Sequence, residues 1–380
     1  MPYWRLSSYY FFYFASLGAL VPYWGLYLQD AGFEPLAIGV LMAILTGTKI
    51  VAPVVWGHIV DHTGRRMPVV RLGSVLAVLG FATLSVTDGF WGMALTLLLF
   101  SFFWNASLPQ MEALTFNHLC ERPTRYALVR VWGSVGFVLV VVALGLALEH
   151  GSLAQVPVWV LLLTVGICLA TFVVPDSAPR QATPSAVSLR ALLLQPSVLA
   201  FFGACFLMQL SHGIYYAFYS IHLEAAGYSS TAVGWLWALG VIAEVLIFLI
   251  MHRLLERFGA RRVLLWSLAL GGVRWILIGV FVDQPVVMFA AQWLHAATFG
   301  TFHASAIHLV HHVFPGRTQG RGQALYNSLS FGAGGAAGSL IGGLLWADAG
   351  PAITFGIGAI ASTVAWFIAW RWMSGALYRH

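Results

Sequence analysis

Five ionisable side chains fall inside long apolar runs: Lys49, Glu112, Arg130, Glu244 and Arg274, with His295 among several histidines beside them. Charge at membrane depth is costly, so each such residue reads as functional until a structural partner explains it. A carboxyl near a guanidinium and an imidazole can take up and release a proton, and a guanidinium can hold an anion. Spacing places three of these groups together. Glu244 lies fifteen residues before Gly259 and Arg274 fifteen after it. At about 1.5 Å per helical residue, each is about 22 Å from that turn. Arg274 is nine residues before the next turn at Asp283-Gln284, and His295 is eleven past it. Glu244, Arg274 and His295 are therefore expected in one layer on three successive helices, with a purely structural ion pair as the alternative. Burial and a neighbouring Arg pull the protonation of Glu244 in opposite directions, so a substrate bound at Arg274 would tip the balance. Glu112 and Arg130 flank Glu121 at nine residues on either side. They share a shallower level, about 13 Å from the loop, where a snorkelling pair is the alternative. Lys49, the single lysine, lies deeper, twelve residues before Asp61.

The elements that must position these groups are membrane helices. Of 380 residues, 60% are hydrophobic and 8% charged, against about a quarter charged in a soluble domain. Twelve apolar runs of spanning length occur, roughly 7–29, 36–58, 67–86, 90–115, 127–148, 156–174, 197–221, 231–251, 263–281, 286–310, 322–346 and 352–372. The first is expected to be a spanning helix and not a cleaved signal. Residues 175–196 read as a cytoplasmic linker between a six-helix bundle at 1–174 and another at 197–380. Arginines such as Arg5, Arg122, Arg125, Arg180, Arg190, Arg253, Arg257, Arg317, Arg321 and Arg379 fall at one set of alternate ends, while Asp30, Glu34, Asp88, Glu149, Glu224, Asp283 and Asp348 occupy the other. This asymmetry puts both termini in the cytoplasm. It also accounts for the net charge of +6 without a nucleic-acid partner.

The two halves repeat. Gly57, Asp61, Gly64, Arg65 and Arg66 form a loop motif whose counterpart, 195 positions later, contains Glu256, Gly259, Arg261 and Arg262. The same offset pairs Gly32 with Gly227 and Gly39 with Gly234, which marks an internal duplication. Gly64 permits a tight turn, Gly57 a close helix approach, and Asp61 can hold a helix N-terminus or an Arg. These residues, with Glu256 and Gly259, are expected to bias one of two rocking states, topological anchoring being the alternative. Gly334, Gly338 and Gly342 follow at four-residue spacing and read chiefly as a packing stripe.

Twelve helices, a six-plus-six repeat and G-x-x-x-D-x-x-G-R-R between the second and third helices resemble the major facilitator superfamily. That resemblance implies an all-α integral membrane fold and alternating-access transport. Glu112 with Arg130, in the segments Met111-Glu112-Ala113 and Arg130-Val-Trp-Gly133, resembles the sugar-binding pair of the lactose permease and its oligosaccharide–proton symporter relatives. Glu244, Arg274 and His295 resemble that family's coupling residues. Thr298 stands where those relatives carry an acid, Gln292 where they carry a lysine, and Phe137 where a sugar-stacking Trp would be, which points away from lactose. Ser211-His212-Gly213-Ile214-Tyr215-Tyr216, Gly234-Trp235-Leu236-Trp237, Gly240 to Glu244, and Pro22-Tyr23-Trp24 resemble the bacterial 3-phenylpropionate permease group.

The intramembrane charges, Lys49, Arg130 and Arg274 against Glu112 and Glu244, leave one positive charge over. A monoanion would balance it. Tyr23, Trp24, Phe137, Tyr215, Tyr216 and Trp237 are candidates to line the substrate path, which suits an aromatic carboxylate; interfacial belts are their alternative. The expected activity is import of such an acid with protons. A sugar, oligosaccharide or nucleoside symporter and a metabolite or drug exporter are the competing transport readings, and a non-transporting receptor is a further class. No nucleophile elbow, phosphate loop or metal-ligand spacing suggests an enzyme, a metal or another cofactor; the proton gradient is the expected energy source. The expected setting is the bacterial inner membrane, with lipid, substrate and protons as partners and a monomer as the functional unit.

Overall fold

A computed structural model describes residues 2–119, 125–176, 189–316 and 318–373. Cys120, Glu121, Arg122, Arg180, Arg317, Arg379 and most of the expected linker lie outside these residues. Regular structure among the described residues is helical throughout. The helices are α1 (Tyr3–Asp30), α2 (Pro35–Thr63), α3 (Arg66–Ala82), α4 (Gly89–Leu119), α5 (Tyr126–Glu149), α6 (Val156–Val173) and the short α7 (Leu189–Leu193). Then come α8 (Pro196–Ala225), α9 (Ser230–Phe258), α10 (Ala260–Val280), α11 (Pro285–His295), α12 (Phe302–Val313), α13 (Thr318–Tyr326) and α14 (Gly335–Trp372).

Among the described residues, ten stretches are long and apolar enough to cross a membrane. One of them, Thr318–Trp372, carries the last two apolar runs of the sequence, parted at Gly350, where φ is 78°. The run at 286–310 is shared by α11, a π-helical turn at Ala296–Thr301 and α12, so no single helix covers it. All twelve apolar runs are thereby accounted for.

The duplication is visible in the backbone. Gly32 and Gly227, 195 positions apart, both end a helix–turn at φ 84°. Gly64 (φ 64°, ψ 5°) and Gly259 (φ 77°, ψ 148°) end α2 and α9 at positive φ, the first left-handed helical and the second extended in ψ, each N–H bonding the carbonyl four residues back, Val60 and Leu255, at 2.9 Å. A side chain at such φ is strained, which is why the loop motif needs glycine in both copies.

The chain forms two compact units, Met1–Gln181 with Gly227–Ala238, and Ala182–Ala226 with Leu239–His380. In the first, α1 packs on α5 and α6, and α4 on α2 and α3. A Cβ at Gly136 of α5 would collide with the carbonyl of Phe11 on α1, and one at Gly18 with that of Phe137, so the two backbones touch. The start of α9 belongs to this unit: Glu149 accepts from the Thr231 N–H at 3.0 Å, and the Tyr23 hydroxyl donates to Val141 O at 2.8 Å and reaches Ser230 O at 3.4 Å. In the second unit α8 is the central helix, packed on α14, with α10 also on α14. Gly334 sits against the Phe206 carbonyl, Gly338 against that of Leu210, and Gly342 against the Phe218 ring. The glycine stripe is therefore a packing surface for α8.

Candidate functional site

Each unit carries its own cluster of charged and aromatic side chains. In the second, Arg274 of α10 is fully buried. Its Nε donates to Ala291 O at 3.0 Å, Nη1 to Thr298 Oγ1 at 3.1 Å and Nη2 to Gln292 Oε1 at 3.3 Å. The guanidinium lies 4.5 Å from the Tyr215 ring and 4.7 Å from the Trp275 ring. Tyr215 in turn donates its hydroxyl to Gln292 Oε1 at 3.1 Å. Every hydrogen bond of Arg274 among the described residues thus goes to an uncharged oxygen. Thr298 and Gln292, the positions at which an acid and a lysine are missing, are its solvating ligands. They lie three residues either side of His295, about one turn from it in each direction, and Thr298 is presented by the π turn.

His295 Nε2 is 3.8 Å from Glu244 Oε2 of α9. Glu244 is half-buried, His295 nearly fully buried. The expected layer of Glu244, Arg274 and His295 is thus one neighbourhood, with His295 beside the carboxylate and Arg274 joined to it through Gln292 and Tyr215. Tyr216, half-buried, stands 5.5 Å from Tyr215 between ring centroids. His212 of α8, with ring centroids 6.4 Å from His295 and 4.9 Å from Trp275, belongs to the same cluster; as an isolated His in an apolar run it gives no periodic signal.

In the first unit, Glu112 of α4 accepts the Tyr126 hydroxyl at 3.1 Å. The Arg130 guanidinium carbon of α5 lies over the Phe14 ring, 3.6 Å from its centroid, and 5.9 Å from that of Tyr10. Among the described residues Glu112 and Arg130 share a neighbourhood without an ion pair shorter than 4.0 Å. Around them α1 contributes Tyr9, whose hydroxyl donates to Ser107 at 2.8 Å, Tyr10, bonded to Thr115 at 3.0 Å, and Tyr13, stacked on Trp104 at 4.7 Å. None of these aromatics carries charge, and those of α1 sit in an aromatic-rich run, so residue type alone does not single them out.

The other expected lining residues lie apart from this cluster or at its margin. Tyr23 is nine residues past Phe14, about 13 Å along the helix, with its hydroxyl on backbone carbonyls as described. Trp24 is buried against Tyr27 and Phe81. Phe137 faces α1 at Gly18. Trp237 is buried in the part of α9 that belongs to the first unit. Lys49, half-buried on α2, follows Thr48, which accepts from Asn105 at 2.9 Å. In the loop motif, Arg66 donates to Gln110 Oε1 of α4 at 3.2 Å, while Asp61, Arg65 and Glu256 are exposed. A Cβ at Gly57 would meet nothing nearer than the Gln110 amide at 3.9 Å. That is ordinary van der Waals contact, not the tight helix approach expected at Gly57.

A family model described as MFS_1 like matches residues 3–357. The chain is 31% identical over 374 residues to a probable 3-phenylpropionic acid transporter of Escherichia coli K12, covering 94% of this chain and 95% of that protein. It is 27% identical over 343 residues to the maltose permease of Geobacillus stearothermophilus, covering 89% and 86%. Among solved structures, the nucleoside transporter NupG superposes with a TM-score of 0.80 at 18% identity, covering 100% of this chain and 99% of that one.

Proposed function

The chain belongs to the MFS_1-like family of major facilitator transporters, and within it we propose a proton-coupled symporter that imports a small aromatic carboxylate such as 3-phenylpropionate. The observation that carries this reading is Arg130. Its guanidinium rests on the Phe14 ring at 3.6 Å among the tyrosines of α1, so one site offers a cation for a carboxylate and aromatic faces for a ring. The activity named for the Escherichia coli relative agrees with it. Phe14, Tyr10, Tyr13 and Arg130 would hold the substrate, with Glu112 kept aside by Tyr126. Glu244, His295 and Arg274 would couple the proton: a half-buried carboxylate beside an imidazole is a group whose charge the site can change. The loop motif around Asp61 would bias the resting state. The proposed setting is a bacterial inner membrane with both termini in the cytoplasm and a functional monomer.

A second reading, a nucleoside or sugar symporter, is favoured by Glu112, whose carboxylate accepts one hydroxyl already, from Tyr126, and could accept those of a ribose or hexose. Counterflow in proteoliposomes with labelled 3-phenylpropionate separates the two. Competition by unlabelled aromatic acids, with acceleration by an inward-acid gradient, is the expected result. Competition by neutral nucleosides or sugars alone would overturn the carboxylate reading.

A further inference from the structure

His212 is fully buried on α8. Its Nδ1 lies 2.9 Å from Met208 O. A carbonyl only accepts, so Nδ1 carries the hydrogen and Nε2 is left with a bare lone pair. That Nε2 has no hydrogen-bond partner, nor does Nδ1 of His295. Buried polar atoms are nearly always satisfied, and two open ring nitrogens in neighbouring imidazoles call for a reason. The rings are 6.4 Å apart between centroids, a separation that one water molecule bridges for proton transfer. The other nitrogen of His295 faces Glu244 at 3.8 Å. Carboxyl, imidazole and imidazole thus stand in series from the half-exposed Glu244 to the fully buried His212.

We propose that His212 is a second proton-binding residue of this transporter, loaded from Glu244 through His295. The inference rests on the coupling role proposed for Glu244. The step balances. The Glu244 carboxyl gives its proton to His295 Nε2; His295 releases its Nδ1 proton to the lone pair of His212 Nε2; Glu244 is left ionised and His212 becomes an imidazolium that keeps its bond to Met208 O. The groups around His212 set when this happens. Its own helix presents Tyr215 and Tyr216, α10 presents Trp275 and Arg274, α11 His295, and the π turn Phe299. On the side of α14, Ser339 and Ser362 bond the flanking residues Gly213 and Ser211. Arg274 is the fixed cation of this set, so an imidazolium beside it needs negative charge near by, which the ionised Glu244 supplies.

The pair His212→Asn and His212→Gln tests this in proteoliposomes with labelled 3-phenylpropionate. Asn keeps a donor for Met208 O and removes Nε2; Gln places an amide at the Nε2 position that binds no proton. In both, the ratio of gradient-driven accumulation to exchange should fall about tenfold or more, and the rise of exchange toward acid pH should flatten. An unchanged ratio and pH profile in either folded variant overturns the role of His212. If Glu244→Gln also accumulates substrate, the coupling reading itself has failed; if Glu244→Gln is uncoupled and the His212 variants are not, only the present inference has. The unaltered protein gives a check independent of variant folding: in 15N-histidine spectra, the bare Nε2 signal of His212 should vanish when substrate is added at acid pH, and its persistence overturns the proposal.

Discussion

Each unit holds an arginine near a glutamate, and the two arginines are furnished in opposite ways. Arg274 is locked, with Ala291, Thr298 and Gln292 taking its hydrogens and two rings below it. Arg130 is half-buried and lies over the Phe14 ring. A guanidinium with a donor from each of its three nitrogens engaged inside its own unit is fitted to fix the local charge, and one resting over a ring keeps its edge for a ligand. Residue type alone would assign both the same task; the difference lies in their neighbours.

The largest effect that sharpens this contrast is on stability. Arg274→Ala removes three buried hydrogen bonds from a charged donor, each worth about 1.5–3 kcal/mol, and leaves Gln292 Oε1 with the Tyr215 hydroxyl alone. Purified protein should melt far below the wild type in detergent or fail to be recovered. Arg130→Ala should melt close to the wild type, while the KM for counterflow rises about tenfold or more, the weight of one charge-assisted contact. Equal melting temperatures for both variants would erase the contrast. The smallest effect concerns Tyr126→Phe, which removes the hydroxyl that holds Glu112. A loss of about 1 kcal/mol, or about fivefold in KM, is expected with little change in melting. A fall in melting temperature without a change in KM would make Tyr126 a structural residue.

Much of this architecture is legible in the sequence because a membrane leaves few options for the backbone. Apolar runs mark the twelve crossings, and the offset of 195 foretells that Gly32 and Gly227 share a conformation. Hairpin arithmetic places Glu244 and His295 at one level, and they meet at 3.8 Å. What the pattern does not carry is what side chains reach across helices. The π turns at Ala296–Thr301 and Asn327–Gly334 leave the apolar periodicity intact and so pass unseen. One of them delivers Thr298 to Arg274. Thr298 and Gln292 read as missing charges, whereas in three dimensions they solvate one. Tyr23 and Trp24 read as lining because they are aromatic, but their rings serve α1's own packing and its bonds to backbone carbonyls.

The central claim is that substrate holding and proton coupling are divided between the clusters, and Glu244→Gln tests it most directly. The variant removes the ionisable carboxyl and keeps its shape. Labelled 3-phenylpropionate should still exchange across proteoliposome membranes, with the KM within about twofold of wild type, while accumulation under an inward-acid gradient disappears. Loss of exchange together with accumulation would place Glu244 in the substrate site and contradict the division.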